Sequence, residues 1–192
     1  MFDLSLTQLL FRLVAMLLVV GLHGYAMAVL SHLLGDPGPH QDGRRTLNPF
    51  VHLDILGFLA GLLSRCGWIV WMPVEYRRLR FGLAGVLIVV VGAAAAPYLV
   101  ASLLQLARGP VTAWLAPGTA LQLNNLLGYV LDVSSWSAVA NLLPIPPLAG
   151  GHVLLFLVPA LQPRLRAVML WSRPALAIAF VFGVPYLARL PA

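Results

Sequence analysis

The chain has 192 residues, of which 60% are hydrophobic and only 9% charged, and its mean hydropathy is +0.91. That balance excludes an ordinary soluble domain and predicts an integral membrane protein. The net charge of +6 comes from twelve arginines against six acids, with no lysine, and the arginines fall mostly between apolar runs, as in headgroup-facing loops and unlike a nucleic-acid footprint.

The N-terminal M-F-D-L-S-L lacks the basic region of a secretory signal, so the first apolar run, about Leu6 to Leu34, reads as a retained span. It exceeds the ~20 residues needed to cross hydrocarbon, so it tilts or projects. It carries His23 and His32. An imidazole within a span is a functional candidate, with an interhelical hydrogen bond as the plainer role for His23; His32, near the end of the run, meets headgroups. A polar linker from Gly35 to Asp54 follows, and Arg44 and Arg45 predict a cytoplasmic position for it. Ile55 to Pro73 is apolar but interrupted by Gly57, Gly61, Ser64, Arg65 and Gly67, so it either spans thinly or re-enters; Arg77, Arg78 and Arg80 come after it. The lone cysteine, Cys66, excludes an internal disulfide and reads as packing.

Phe81 to Leu106 is a clean span, and its small residues from Gly92 to Ala96 predict close approach of another helix. Arg108 to Gly118 reads as a short turn, and Thr119 to Leu143 as a further span carrying Asn124, Asn125 and Asp132. Then comes Asn141 to His152, N-L-L-P-I-P-P-L-A-G-G-H. Proline removes a backbone donor and clashes with the preceding turn, so a helix must stop near Leu143 and restart after Gly151. Broken backbone at membrane depth is tolerated where it is buried in protein or lines a polar cavity, which makes this stretch either a site wall or a loop at the bilayer edge. Val153 to Leu161 is too short to cross, and Pro174 to Leu187, after Arg164, Arg166 and Arg173, spans only by recruiting part of Ala167 to Trp171. The tryptophans at 68, 71, 114, 136 and 171 fit interfacial belts. The fold expected is all-α and polytopic, a single membrane domain over 1–192 with about four to six membrane segments, including the broken helix at 141–152.

Three stretches together resemble the site-2 protease family, membrane-embedded zinc metalloproteases, in its short form without a PDZ domain. They are N-L-L-P-I-P-P-L-A-G-G-H at Asn141 to His152, G-R-R-T-L-N-P-F-V-H-L-D-I-L-G at Gly43 to Gly57, and H-G-Y-A-M at His23 to Met27 just before L-G-D-P. In the family, the helix motif supplies two histidines and a glutamate, and the L-D-G turn supplies an aspartate. A zinc protease needs such ligands and such a base. Here the first histidine stands as His23, while Gly24, Met27 and Ala149 occupy the glutamate, second-histidine and aspartate positions. The matches to the family's polar A-G-P-x-x-N and K-P-V segments read V-G-A-A-A-A and W-M-P-V.

The resemblance therefore implies a catalytically degenerate member. It would have no intact catalytic set and no resident metal, with His23 as a remnant ligand and zinc bound only if replacements exist. What persists are the scaffold positions of a binding cleft: His52, Asp54, Asn141, Pro144, Pro146, Gly150 and Gly151. The function expected is a pseudoprotease that binds or stabilises transmembrane helices of other membrane proteins, as subunit or regulator of a membrane complex. Its place would be a bacterial-type inner membrane, with the bilayer and no nucleic acid as its other contacts. One alternative is an active zinc metalloprotease with relocated ligands drawn from His23, His52, Asp54 and His152. Asp132 is a further candidate donor, and Met27 at i+4 from His23 offers a thioether suited to cuprous copper. Another is a histidine-based cofactor-binding or transport protein.

Overall fold

The computed structural model describes residues 5–187; the residues at 1–4, which open the M-F-D-L-S-L stretch, lie outside them. Helix α1 (Leu6–Leu33) starts at a capping box: the Ser5 hydroxyl accepts from the Gln8 amide and the Gln8 side chain accepts from the Ser5 amide. Two four-residue helices, α2 (Gly38–Gln41) and α3 (Pro49–His52), punctuate the polar linker. The T-L-N-P sequence forms α3 directly, since Asn48 caps it through the Phe50 amide and Pro49 fills its first turn.

The stretch from Ile55 re-enters. Helix α4 (Ile55–Ser64) has ten residues, about 15 Å at 1.5 Å per residue, and turns back at Arg65, whose φ is 74°. The chain then runs without helix to residue 82, held by an isolated antiparallel bridge between Leu53 and Ile69 and by the Val70 amide on the His52 carbonyl. It returns to its starting end: the Glu75 amide donates to Asp36 and the Arg80 amide to the Leu34 carbonyl. The second arginine cluster therefore lies at the end of α1 from which the linker starts, as a re-entrant reading requires.

Helix α5 (Leu83–Thr112) packs on α1 through the predicted small residues. Ala93 and Ala94 are buried, and a Cβ on Gly92 would lie 2.6 Å from Leu30. The turn expected from Arg108 to Gly118 is shorter than the sequence implied. Pro110 is absorbed in the last turn of α5, and only residues 113–116 separate it from α6 (Pro117–Asn141). Proline at the start of a helix sacrifices no bond, which is why Pro117 begins α6 where composition alone put a loop. Helices α1, α5 and α6 pack together as a three-helix core. After the break come α7 (Gly151–Leu157), a 3₁₀ segment (Pro159–Arg164) and α8 (Leu165–Leu187). Helix α8 recruits the whole of Ala167 to Trp171 and packs on α4.

The protein is thus an almost entirely helical integral membrane protein. Leu6–Leu33, Leu83–Thr112 and Pro159–Val184 are long and apolar enough to cross a bilayer, α4 is a shorter apolar helix, and α6 has spanning length with a more polar sequence.

Candidate functional site

The residues singled out by the three motifs converge on the middle of α1. The imidazole of His52, at the end of α3, lies flat over Gly24: a Cβ built there would fall 2.2 Å from His52 Cγ and 2.3 Å from its Nδ1. The position the resemblance assigns to a glutamate is therefore filled by a histidine ring. His52 is fully buried and its Nε2 pairs with the Thr46 carbonyl at 2.9 Å. Burial holds this imidazole below its ordinary value, outweighing the Thr46 carbonyl, which favours the charged ring; Arg44 lowers it further.

Met27 and Ala149, at the second-histidine and aspartate positions, belong to one buried apolar cluster with Val20, Met72 and Val133. Their side chains close the place with packing. His23 is 2% exposed and its Nε2 has no hydrogen-bond partner among the described residues, so among these the interhelical bond expected of it is not made at that atom. The Nδ1 of His52 is likewise buried and unpartnered.

The other candidate donors are already committed. Asp54 caps α4 through the Gly57 amide at 3.0 Å and pairs with Arg173 of α8. His152 stacks on Trp71 with ring centroids 4.0 Å apart and an interplanar angle of 12°, and its Nδ1 pairs with the Tyr76 hydroxyl at 2.9 Å. Asp132 pairs with Arg65 at 3.2 Å. Sequence reasoning did not foresee Arg173, Trp71 or Tyr76 as partners, because all three lie 76 or more residues from the side chains they engage and carry no local motif.

The broken stretch is organised by Asn141. Its amide nitrogen donates to the carbonyls of Gly67 and Ser137, each at 2.8 Å, while its Oδ1 accepts from the Ala149 amide and its own carbonyl from the Gly150 amide. A Cβ on Gly150 would sit 2.4 Å from the Leu143 carbonyl oxygen, and one on Gly151 2.7 Å from the Pro146 nitrogen. The Pro146 carbonyl accepts from Ser172 of α8. The polar groups of the turn are thus committed within the protein, and what it exposes is an apolar lip of Leu142, Leu143, Pro144 and Ile145.

Over 152 residues the chain is 32% identical to a Bacillus subtilis (strain 168) protein named "Putative zinc metalloprotease YwhC", an alignment that covers 77% of this chain and 68% of that protein. The chain belongs to the site-2-protease-like metalloprotease family. No family model and no solved structure matches it. The family name implies zinc, and the donor set present does not fit it. Among the described residues no three His, Cys, Asp or Glu side chains are grouped to hold a metal ion. The unpartnered buried nitrogens at the motif are two imidazole atoms, whereas catalytic zinc takes three protein ligands and a water.

Proposed function

We propose that this family member holds membrane segments without cutting them, acting in a bacterial-type inner membrane as a subunit or regulator of a membrane complex. One observation carries the reading: the His52 ring occupies the volume above Gly24 in which a general base would stand. Hydrolysis by bound zinc needs a carboxylate or equivalent within reach of the attacking water. Here the neighbouring positions are a glycine, a thioether and a methyl group. The scaffold around them is kept by buried hydrogen bonds at Asn141 and Asp54, which supports a fold retained for binding. The exposed lip at Leu142 to Ile145 offers an apolar edge beside it.

The test is metal content and cleavage, with YwhC purified alongside. Zinc-replete expression followed by elemental analysis is expected to give far less than about one zinc per chain, with no chelator-sensitive cleavage of transmembrane peptides. Mass spectrometry after gentle extraction is expected to find other membrane proteins at fixed ratio. The name of the relative favours the opposite reading, a metalloprotease with relocated ligands. Near-stoichiometric zinc together with chelator-sensitive cleavage would establish that reading and end this one.

A further inference from the structure

Helix α6 buries one face in the core through Val130, Val133, Ser137 and Ala140. Its opposite face has a separate pattern: Leu121, Asn125, Gly128, Asp132, Ser135 and Val139, spaced by alternating steps of four and three. That is a period of about 3.5, the seam of two helices that wind around each other. Leu121 and Val139 at its ends are 61% and 65% exposed. Asn125 and Gly128 between them are exposed as well.

Gly128 is the telling residue. A glycine inside a helix costs about 1 kcal/mol relative to alanine, and a Cβ built on Gly128 meets nothing within 4 Å. Nothing among the described residues explains its absence of a side chain; close approach of a second helix does. Around it lies a shallow hollow of about 240 Å³ lined by Asn124, Asn125, Gly128, Tyr129 and Asp132. The Oδ1 of Asn124 there is buried without a hydrogen-bond partner among the described residues. Polar side chains on a helix packed among spanning segments are stabilised by a facing protein surface.

We infer that this face of α6 pairs with the same face of a second copy of the chain. The chemistry on the seam selects that occupant. Asp132 is neutralised within the chain by Arg65, so two copies meet across a two-fold axis without like charges opposed, and no charged partner is called for. Of the other polar groups on the seam, the Ser135 hydroxyl donates to the Leu131 carbonyl of its own helix, and the Asn125 amide is both donor and acceptor and therefore complements itself across such an axis. An amide left without a partner among the described residues on such a seam also fixes register. The inference does not depend on whether the protein cuts its clients.

The test uses the full chain labelled in two colours and reconstituted in liposomes at decreasing protein-to-lipid ratio. Wild type is expected to show energy transfer that dilutes out with a single dimer constant. Gly128→Ile, which adds bulk where the monomer has open space, is expected to weaken that constant at least tenfold while leaving thermal unfolding of the diluted monomer unchanged; Asn125→Leu is expected to weaken it less. In a Cys66→Ser background, Gly128→Cys is expected to form an oxidative dimer, and Leu103→Cys, 64% exposed on α5, to form none. A monomeric wild type at every ratio, an unaltered constant in Gly128→Ile, or a Gly128→Cys adduct only with a different membrane protein would each overturn the inference.

Discussion

At the scale of single residues, the arrangement turns on Gly24 and His52. The ring lies against the glycine so closely that even a methyl group cannot be added without moving it. Overpacking of this kind costs roughly 1–3 kcal/mol, so Gly24→Ala is expected to lower stability by about that amount, measured by denaturant titration in detergent, and His52→Ala in the same chain to recover part of it. The geometry also bears on any attempt to restore chemistry. Gly24→Glu with Met27→His and Ala149→Asp requires the His52 ring to leave its bond to the Thr46 carbonyl, so zinc uptake by that triple variant is expected only with loss of order at 46–52. Acid should act on the same residue. The unfolded chain takes up a proton at His52 near the ordinary value of 6.5, while the folded protein does so only at lower pH. The unfolded state thus binds more protons in that window. Stability is expected to hold above about pH 6.5 and to fall as pH drops below it, and His52→Gln should remove that part of the dependence in unfolding curves recorded from pH 7.5 downward to about 4.5.

At the scale of elements, two fastenings hold the re-entrant segment and the broken helix. The first is Asp54, 3% exposed, between the first turn of α4 and Arg173 of α8. Removing one partner of a buried pair costs about 3–5 kcal/mol, and the 39% exposure of the Arg173 side chain puts Arg173→Ala at or below the lower end. The check is its effect on unfolding compared with the Asp54→Asn, Arg173→Leu double variant, which leaves no uncompensated charge and is expected to be milder. The second is Asn141, whose side chain makes three hydrogen bonds to backbone of the 65–67 turn, of α6 and of the 142–150 turn. Each buried group left unsatisfied costs about 1–3 kcal/mol, so Asn141→Ala is expected to destabilise more than any substitution on the exposed lip at Leu142 to Ile145, with limited proteolysis appearing first at that turn. Helix α4 gains a further tie from α1: Arg12, 7% exposed inside a spanning helix, donates to the carbonyls of Leu62 and Leu63 at the end of α4, where a helix has orphan acceptors and partial negative charge.

At the scale of the whole molecule, the short α4 and the return of residues 75–80 to Leu34 and Asp36 bring the second arginine cluster back to the start of the linker. Gly43→Cys and Arg78→Cys, each in a Cys66→Ser background, are therefore expected to label with an impermeant thiol reagent from the same face of sealed vesicles; labelling from opposite faces would mean that Ile55 to Pro73 crosses. Much of this was legible in the sequence. Hydropathy and length located α1 and the start of α5 closely, while α5 runs on to Thr112, past the expected end at Leu106; the prolines and glycines of 141–152 marked where a helix must stop and restart, and the small residues at Gly92 to Ala96 marked a close helix contact, because each of these signals is local and rests on backbone chemistry. Three spaced motifs were enough to find the family. The sequence left Ile55 to Pro73 undecided, since apolar composition permits both crossing and re-entry, and the reversal at Arg65 is stabilised by Ser137, far away on α6. It also offered His52, Asp54 and His152 as possible ligands on residue type alone. Only the tertiary structure decided their roles: Arg173 neutralises Asp54, Trp71 and Tyr76 engage His152, and His52 fills the space over Gly24. Those outcomes depend on which side chains the packing of distant helices brings within hydrogen-bond reach, a property of the folded chain that no local spacing encodes.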